Sequence, residues 1–387
     1  MGCSNKTGGN SIVKKKIIVL GRGNAGCFTA LHFSYYLPNS TIELIYDPDV
    51  PPEKVGQASL LEAPELLWKA LGINWYHNPI NATNKLGILY ENWGKKNKYI
   101  FHSFNFNSTG MHYDPKKLQD VILKSGLFKV KRKHISDPHT LDADFIFDCR
   151  GKKINDYSKY HVLDNPLNAV ILGQSNESDP RQLWTRAVAT PDGWTFVIPN
   201  TQNTTSYGYL YNDTITSLKE ATANFKKIFK LAKHNYYLGD KVNNFKFKNY
   251  LAKEPIQDNV ILSGNRLFFL EPLESTAVQG YLQWARFCYD YIVGAATKEN
   301  TVSLFKDNIK KIQNFIYWHY INGSAYNTPF WKKASKYKIK DKEFHTILSS
   351  VKKHSTWKSI HETNRLYGQW LPISFKIWQD GIHVQKR

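Results

Sequence analysis

The sequence predicts an α/β protein, and three observations carry that prediction. Lys16-Ile17-Ile18-Val19-Leu20 is an apolar, largely β-branched run that stops at a glycine, the pattern of a buried strand. Gly21-Arg22-Gly23-Asn24-Ala25-Gly26 and a helix follow, and then a second strand, Thr41-Ile42-Glu43-Leu44-Ile45-Tyr46, ends at Asp47. From Leu183 to Tyr211 the pattern changes to antiparallel strands, with Trp194, Phe196 and Ile198 on one face and Pro199 at the end.

The first of these units is Rossmann-like. Gly21 permits a tight turn, Gly23 lets a pyrophosphate approach bare backbone, and Gly26 lets the helix pack against the strand. Asn24 and Ala25 complete the loop, whose free N–H groups and helix dipole hold an anion. Asp47, 21 residues after Gly26, is positioned to accept hydrogen bonds from both ribose hydroxyls. Strand, helix, strand and terminal acid together favour dinucleotide binding over an ordinary glycine loop.

Beyond Asp47, Pro48 to Pro52 reads as a loop, followed by Val55-Gly56-Gln57-Ala58-Ser59. Apolar residues recur at helical spacing from Ala63 to Leu71, and Gly72 provides a stop. Asn84 to Trp93 alternates too irregularly to be assigned as a strand, and on composition Lys85 reads as an exposed lysine. Met111-His112-Tyr113-Asp114-Pro115 opens a helix to about Leu123, with Asp114 as cap and Pro115 in the first turn. Ala143 to Gly151 is another buried strand ending in glycine, where the chain returns to the cofactor. Leu218 to Lys230 is an amphipathic helix. Asn259 to Asn265 is a strand entering a glycine turn, and Phe269 to Ala277 a loop running into a helix from Val278 to Ala296, whose first donors face an anion or a flavin edge. The remainder is helical: Leu304 to Tyr320, then aromatic-rich segments around Phe330-Trp331, Trp357 and Trp370, whose rings read as core packing.

At 387 residues the chain is long enough for two or three domains and a substantial core. Its 42% hydrophobic content is that of a globular protein, and its 14% aromatic content suits a bulky core or a pocket for flat molecules. The net charge of +20 draws in small anions. No compact Arg-rich stretch accompanies it, and Lys336, Lys338 and Lys340 read as a solvated face, so nucleic-acid binding is disfavoured. Cys3, Cys27, Cys149 and Cys288 lack metal-binding spacing, which points to reduced thiols, no metal and a cytoplasmic compartment. Lys6 spoils the myristoylation pattern begun by Met1-Gly2-Cys3, and no apolar run approaches the roughly 18 residues of a membrane span.

Together these residues resemble the flavin-dependent halogenases, the family best known from tryptophan halogenase, over roughly Lys15 to Trp331. Gly193-Trp194-Thr195-Phe196-Val197-Ile198-Pro199 is similar to the family's W-x-W-x-I-P, with Phe196 for the second tryptophan. Phe269-x-x-Pro272-x-x-Ser275-x-Ala277 is similar to its F-x-x-P-x-x-S-x-G, with Ala277 where glycine belongs. His319-Tyr320 and Asn327-Thr328-Pro329-Phe330-Trp331 resemble a later pair of motifs. Gln57 replaces a glutamate of V-G-E-A-T, and Asn265 the aspartate of the flavoprotein G-D turn.

The resemblance implies an FAD-binding, flavoprotein monooxygenase-type core with an antiparallel substrate sheet and a C-terminal helical part. On that division residues 1–14 are a disordered basic tail, 15–300 the core with interleaved substrate-sheet segments at about 155–255, and 301–387 a helical substrate-side part. It implies that Gly21, Gly23, Asn24, Ala25, Gly26, Asp47, Gln57, Ala58, Trp194, Gly264 and Asn265 hold FAD, used as FADH2. Ser275, Thr276 and Ala277 would hold chloride, bromide or iodide. If a left-handed glycine belongs at position 277, alanine there is strained. With O2, hypohalous acid is formed and confined; Lys85 directs the halogen, and Glu274 stabilises the cationic ring intermediate and takes its proton. The implied partners are a flavin reductase and a small electron-rich aromatic, an indole, pyrrole or phenol, with no membrane; a homodimer is left open. Two other readings stand beside this one: an FAD-dependent aromatic monooxygenase, and a flavin-binding protein without turnover, the latter motivated by Gln57, Asn265 and Ala277.

Overall fold

The computed structural model describes residues 14–51, 57–94, 98–104, 108–151, 156–179, 181–200, 204–229, 243–353 and 366–383. The N-terminal tail up to residue 13, the Val55-Gly56 step, Lys230 and the Trp357 segment lie outside the described residues.

The first strand, Lys16–Leu20, is central to a six-stranded sheet ordered Ile256–Gln257, Val260–Leu262, Phe145–Asp148, Lys16–Leu20, Thr41–Tyr46, Lys129–Arg132. Lys16–Leu20 pairs in parallel with Thr41–Tyr46 and with Phe145–Asp148, so that Leu20 is in register with both Ile45 and Asp148. Parallel neighbours need a crossover, and the helix Asn24–Tyr36 provides the first. Because the strands run the same way, their C-terminal ends bring the glycine loop, Asp47 and the Cys149 return to one edge, as the sequence leads one to expect.

The alternating segment lies in a seven-stranded sheet ordered Asn243–Lys246, Ala169–Ser175, Thr205–Tyr211, Gly193–Pro199, Thr185–Thr190, Gly87–Glu91, Tyr99–Ser103. Neighbours are antiparallel except Thr185–Thr190 with Gly87–Glu91, which run parallel. The two strands from residues 87–103 therefore join a sheet whose other members come from residues 169–246.

Two expectations are corrected here. Asn84 to Trp93 is strand after all, in two pieces: Thr83–Lys85 pairs with Gly110–Tyr113, and Gly87–Glu91 with Tyr99–Ser103. The chain changes sheets at Leu86, which is exposed and whose N–H donates to the Leu183 carbonyl at 2.7 Å; the change of sheet breaks the alternation. Met111 to Tyr113 is strand rather than helix start. The helix runs Pro115–Leu123, and Asp114 caps it by accepting from the Lys117 N–H at 3.0 Å.

The remaining helices fall close to their expected places. Glu62–Leu71 stops at left-handed Gly72, φ +67°. Leu218–Ile228 is the amphipathic helix, and Thr276–Ile292 starts two residues before the expected Val278. Lys298–Ile321 begins six residues before the expected Leu304, because Thr297 caps it there. One apolar core runs from Ile17 and Leu44 in the parallel sheet through Tyr90 and Trp194 to Phe315 and Trp378 in the C-terminal helices. The Pro372–His383 helix sits directly on the strand Tyr99–Ser103, where a Cβ on Gly381 would come 2.6 Å from Ile100. Cys27, Cys149 and Cys288 are buried and form no disulfide among the described residues, and burial pushes Cys149 up to about 12. Among the described residues no helix is long and apolar enough to cross a membrane.

Candidate active site

Two neighbouring regions make up the site. The first is the glycine loop. Gly21 has φ +105°, and a Cβ there would meet the Cys149 carbonyl oxygen at 2.9 Å; one on Gly26 would lie 1.9 Å from the Gly21 oxygen. A Cβ on Gly23 would meet nothing within 4 Å, so the loop is closed beneath Gly21 and Gly26 and open above Gly23. Gly264, at φ +58°, abuts the same loop, since its added Cβ would come 2.6 Å from that of Ala25. Asp47 ends its strand paired to His134, Nδ1 to Oδ2 2.6 Å, and that bond holds its carboxyl below the ordinary value.

The other expected cofactor residues lie partly beside this loop and partly away from it, with Trp194 in the seven-stranded sheet. Asn24 Nδ2 donates to the Tyr113 hydroxyl at 3.1 Å and its Oδ1 accepts from Gln119 at 3.2 Å. Gln57 and Ala58 pair with Tyr113 and His112 on the neighbouring strand. Asn265 accepts from the Tyr281 hydroxyl at 3.0 Å. Trp194 is buried in the seven-stranded sheet, beside the Tyr320 hydroxyl.

The second region, called the chamber below, is a cluster of buried polar side chains around Lys85 and Glu274. Lys85, read from composition as exposed, has 0% exposure. Its Nζ donates to Ser275 Oγ at 2.7 Å and stands 5.5 Å from the Phe104 ring centroid. Burial, partly opposed by the Glu274 charge, pulls its ammonium from 10.5 down to about 7. His112 is buried nearby with Nε2 at 2.9 Å from Thr185 Oγ1. Burial, then the Lys85 charge, hold its imidazole well below the ordinary value and keep it neutral.

Glu274 is 2% exposed and collects donors from four separate segments. Its Oε1 lies 2.5 Å from the Tyr90 hydroxyl, 2.8 Å from His319 Nε2 and 3.2 Å from His102 Nδ1. Its Oε2 accepts from Trp370 Nε1 at 3.3 Å. Burial alone would raise this carboxyl, but His102 and His319 outweigh it and hold it well below the carboxylate range. Glu271, three residues earlier, has among the described residues the Tyr320 hydroxyl, 2.7 and 3.0 Å from its oxygens, and the Asn165 amide against it. Burial dominates there and pushes it to about 8. At neutral pH one carboxyl is ionised and the other protonated, because one faces imidazoles and the other a phenol.

The expected strain at Ala277 is not found. Ala277 lies in the first turn of the Thr276–Ile292 helix, where alanine is well suited. The left-handed residues are instead Glu274, φ +70°, and Ser275, φ +57°, a conformation worth roughly 1–3 kcal/mol of strain per residue. The bonds to their side chains hold it in place. Thr276 and Ala277 therefore present helix-start N–H groups that have no partner within the helix, one residue from the Lys85–Ser275 bond.

The sequence reasoning missed Tyr90, His102, His112 and Trp370 as members of this site. His319 was legible only through the His319-Tyr320 motif, and Trp370 was read as core packing, which describes its burial but not its bond to Glu274. No spacing rule links these residues.

A glycine loop on a parallel sheet, in one chain with a buried cluster that holds Lys85 and Glu274, marks the class of protein. The sequence profile of the tryptophan halogenase family matches residues 16–126 and 116–370. The chain belongs to that family and is a flavin-dependent halogenase, an oxidoreductase. It is 20% identical to tryptophan 6-halogenase ThaL of Streptomyces albogriseolus, over 95% of this chain and 85% of that one. It is also 20% identical to tryptophan 7-halogenase RebH of Lentzea aerocolonigenes, over 84% and 80%. Among solved structures, tryptophan halogenase from Shewanella frigidimarina gives a TM-score of 0.76 at 18% identity, over 97% of this chain and 90% of that chain. Tryptophan 6-halogenase SttH from Streptomyces toxytricini gives 0.75 at 16%, over 96% and 91%. At such identities the structural likeness is one of fold.

Proposed function

We propose that this protein halogenates an electron-rich aromatic small molecule, using FADH2, O2 and a halide, with Lys85 directing the halogen and Glu274 serving the ring intermediate. The observation that carries the reading is the burial of Lys85 beside Ser275 with the ionised Glu274 one residue away. An amine and a carboxylate enclosed together suit the containment of a small oxidant.

The glycine loop fits FAD. The open side above Gly23 admits a pyrophosphate at the helix start, and Asp47 reaches a ribose. Gln57, Ala58, Gly264, Asn265 and Trp194 would hold the rest. FAD, reduced by a separate flavin reductase, supplies the two-electron activation of O2 by which a halide becomes hypohalous acid. The helix-start N–H groups of Thr276 and Ala277, with the Ser275 hydroxyl, suit a halide, chloride, bromide or iodide alike.

Lys85 then acts in one of two ways. As an amine it attacks hypohalous acid, forming an N–halogen bond and releasing water; as an ammonium it polarises the acid by hydrogen bonding. A value near 7 makes the amine available at neutral pH. The aromatic ring takes up the halogen, and Glu274, ionised and buried, stabilises the resulting cation and accepts its proton.

The test supplies FADH2, O2 and each halide to wild type and Lys85→Ala with a panel of indoles, pyrroles and phenols, and reads halogenated mass shifts. Halogenated product from wild type and none from Lys85→Ala is expected. Equal rate and regiochemistry from the variant removes Lys85 from the mechanism, and hydroxylated product with NADPH consumed directly would favour the monooxygenase.

A further inference from the structure

The two oxygens of Glu274 are served differently. The three donors on Oε1 come from regular elements: Tyr90 and His102 from adjacent strands of the seven-stranded sheet, His319 from the Lys298–Ile321 helix. The donor on Oε2 is an indole, Trp370 Nε1 at 3.3 Å, and it stands on a short turn. Tyr367 and Trp370 close that turn with two backbone bonds of 2.8 and 3.1 Å, and left-handed Gly368, φ +62°, makes it.

The turn lies across the start of the Thr276–Ile292 helix. Gln369 Nε2 stands 3.4 Å from the Thr276 carbonyl and 3.1 Å from Gln283 Oε1. The Trp370 ring is stacked on Phe315, centroids 4.1 Å apart and planes 17° from parallel, and is 4% exposed. An apolar ring face on one side and a carboxylate oxygen at the ring's N–H are what an N–H-bearing aromatic ligand requires. Both are already engaged by a side chain of the protein.

We propose that the Trp370 indole is a built-in occupant of the acceptor subsite, and that an indole- or pyrrole-class acceptor binds by displacing it, stacking on Phe315 and donating to Glu274 Oε2. The inference rests on the reading of this chamber as the place of aromatic halogenation. Trp370 is the replaceable donor because moving it opens one turn, whereas moving Tyr90, His102 or His319 breaks a strand or a helix. A site closed by its own side chain binds its ligand more weakly by the fraction of time it is open.

The experiment is calorimetric titration of indole, and of benzofuran, which lacks the N–H, into the full chain without flavin or reductase. Wild type, Trp370→Phe and Trp370→Ala are compared, each with its melting temperature. Indole affinity is expected to rise about tenfold or more in Trp370→Ala and to rise in Trp370→Phe, with benzofuran gaining less than indole in both. Unchanged or weaker indole binding in the folded variants overturns the proposal and makes Trp370 a fixed wall; if Trp370→Ala does not fold, Trp370→Phe alone decides. Because binding is read without turnover, tighter indole binding in a protein that never halogenates would sink the halogenation reading and leave the subsite, and the converse result would do the opposite.

Discussion

Lys85 and Ser275, 190 residues apart in the chain, meet at 2.7 Å between Nζ and Oγ inside the protein. The bond ties the end of the strand Thr83–Lys85 to the left-handed turn that begins the Thr276–Ile292 helix, so the buried amine stands at the same turn as Glu274 and the helix-start N–H groups.

Halogenation by Lys85 as an amine depends on its deprotonation. Its ammonium is drawn down to about 7, so the free amine grows as pH rises through 7. The rate of halogenation is expected to rise across that interval and level off above it, read as a pH profile of kcat with FADH2 supplied in excess. Lys85→Arg, charged throughout, should lose about 100-fold or more in kcat. A rate that falls above pH 7 would assign Lys85 the ammonium role instead.

Glu271 links pH to stability in the opposite sense from an ion-paired carboxylate. Burial raises it from 4.5 to about 8, so between those values the folded protein holds a proton that the unfolded chain has released. Stability conferred by the neutral acid is present below about 4.5 and declines as pH rises to about 8. Glu271→Gln keeps the shape without the titration. Its melting temperature should match wild type near pH 4.5 and exceed it at pH 8, with a stability gain on the order of 4 kcal/mol at most.

His319 holds Glu274 at 2.8 Å with both side chains buried. His319→Ala leaves a buried carboxylate short of a principal donor and is expected to cost about 3–5 kcal/mol, measured by urea unfolding. The Glu274 carboxyl would rise as well, adding an acid-side loss of activity that wild type lacks. Stability within about 1 kcal/mol of wild type would mean that Tyr90 and His102 suffice.

Position 277 offers a check on where the strain lies. Alanine in a helical first turn gains nothing from replacement by glycine, so Ala277→Gly should lower stability, by up to about 1 kcal/mol, in a thermal melt. A stabilised variant would restore the expectation of a strained alanine.

The parts of this protein legible in the sequence are those set by contacts between near neighbours in the chain. The run Lys16–Leu20, its glycines and Asp47 reveal a parallel sheet with a cofactor loop, because strand period and glycine stereochemistry are local. Alternation around Trp194 reveals antiparallel strands, and Asp114 marks a helix start, for the same reason. Lys85 was misread by composition, which assigns lysine to the surface, and was recovered only by resemblance. Asn84 to Trp93 hid its strands because the chain changes sheets at Leu86.

What the amino-acid order determined by itself is therefore the framework: the α/β class, the glycine loop and the elements that later carry the site. Only the tertiary structure decided the chamber. Tyr90, His102, His319 and Trp370 reach Glu274 from 184, 172, 45 and 96 residues away, and whether a carboxyl is ionised or protonated depends on which donors packing brings to it. Glu271 and Glu274 are nearly adjacent in sequence, but one stands before a phenol and the other before two imidazoles. Burial makes that difference decisive, since without water the neighbouring donors alone set the cost of charge.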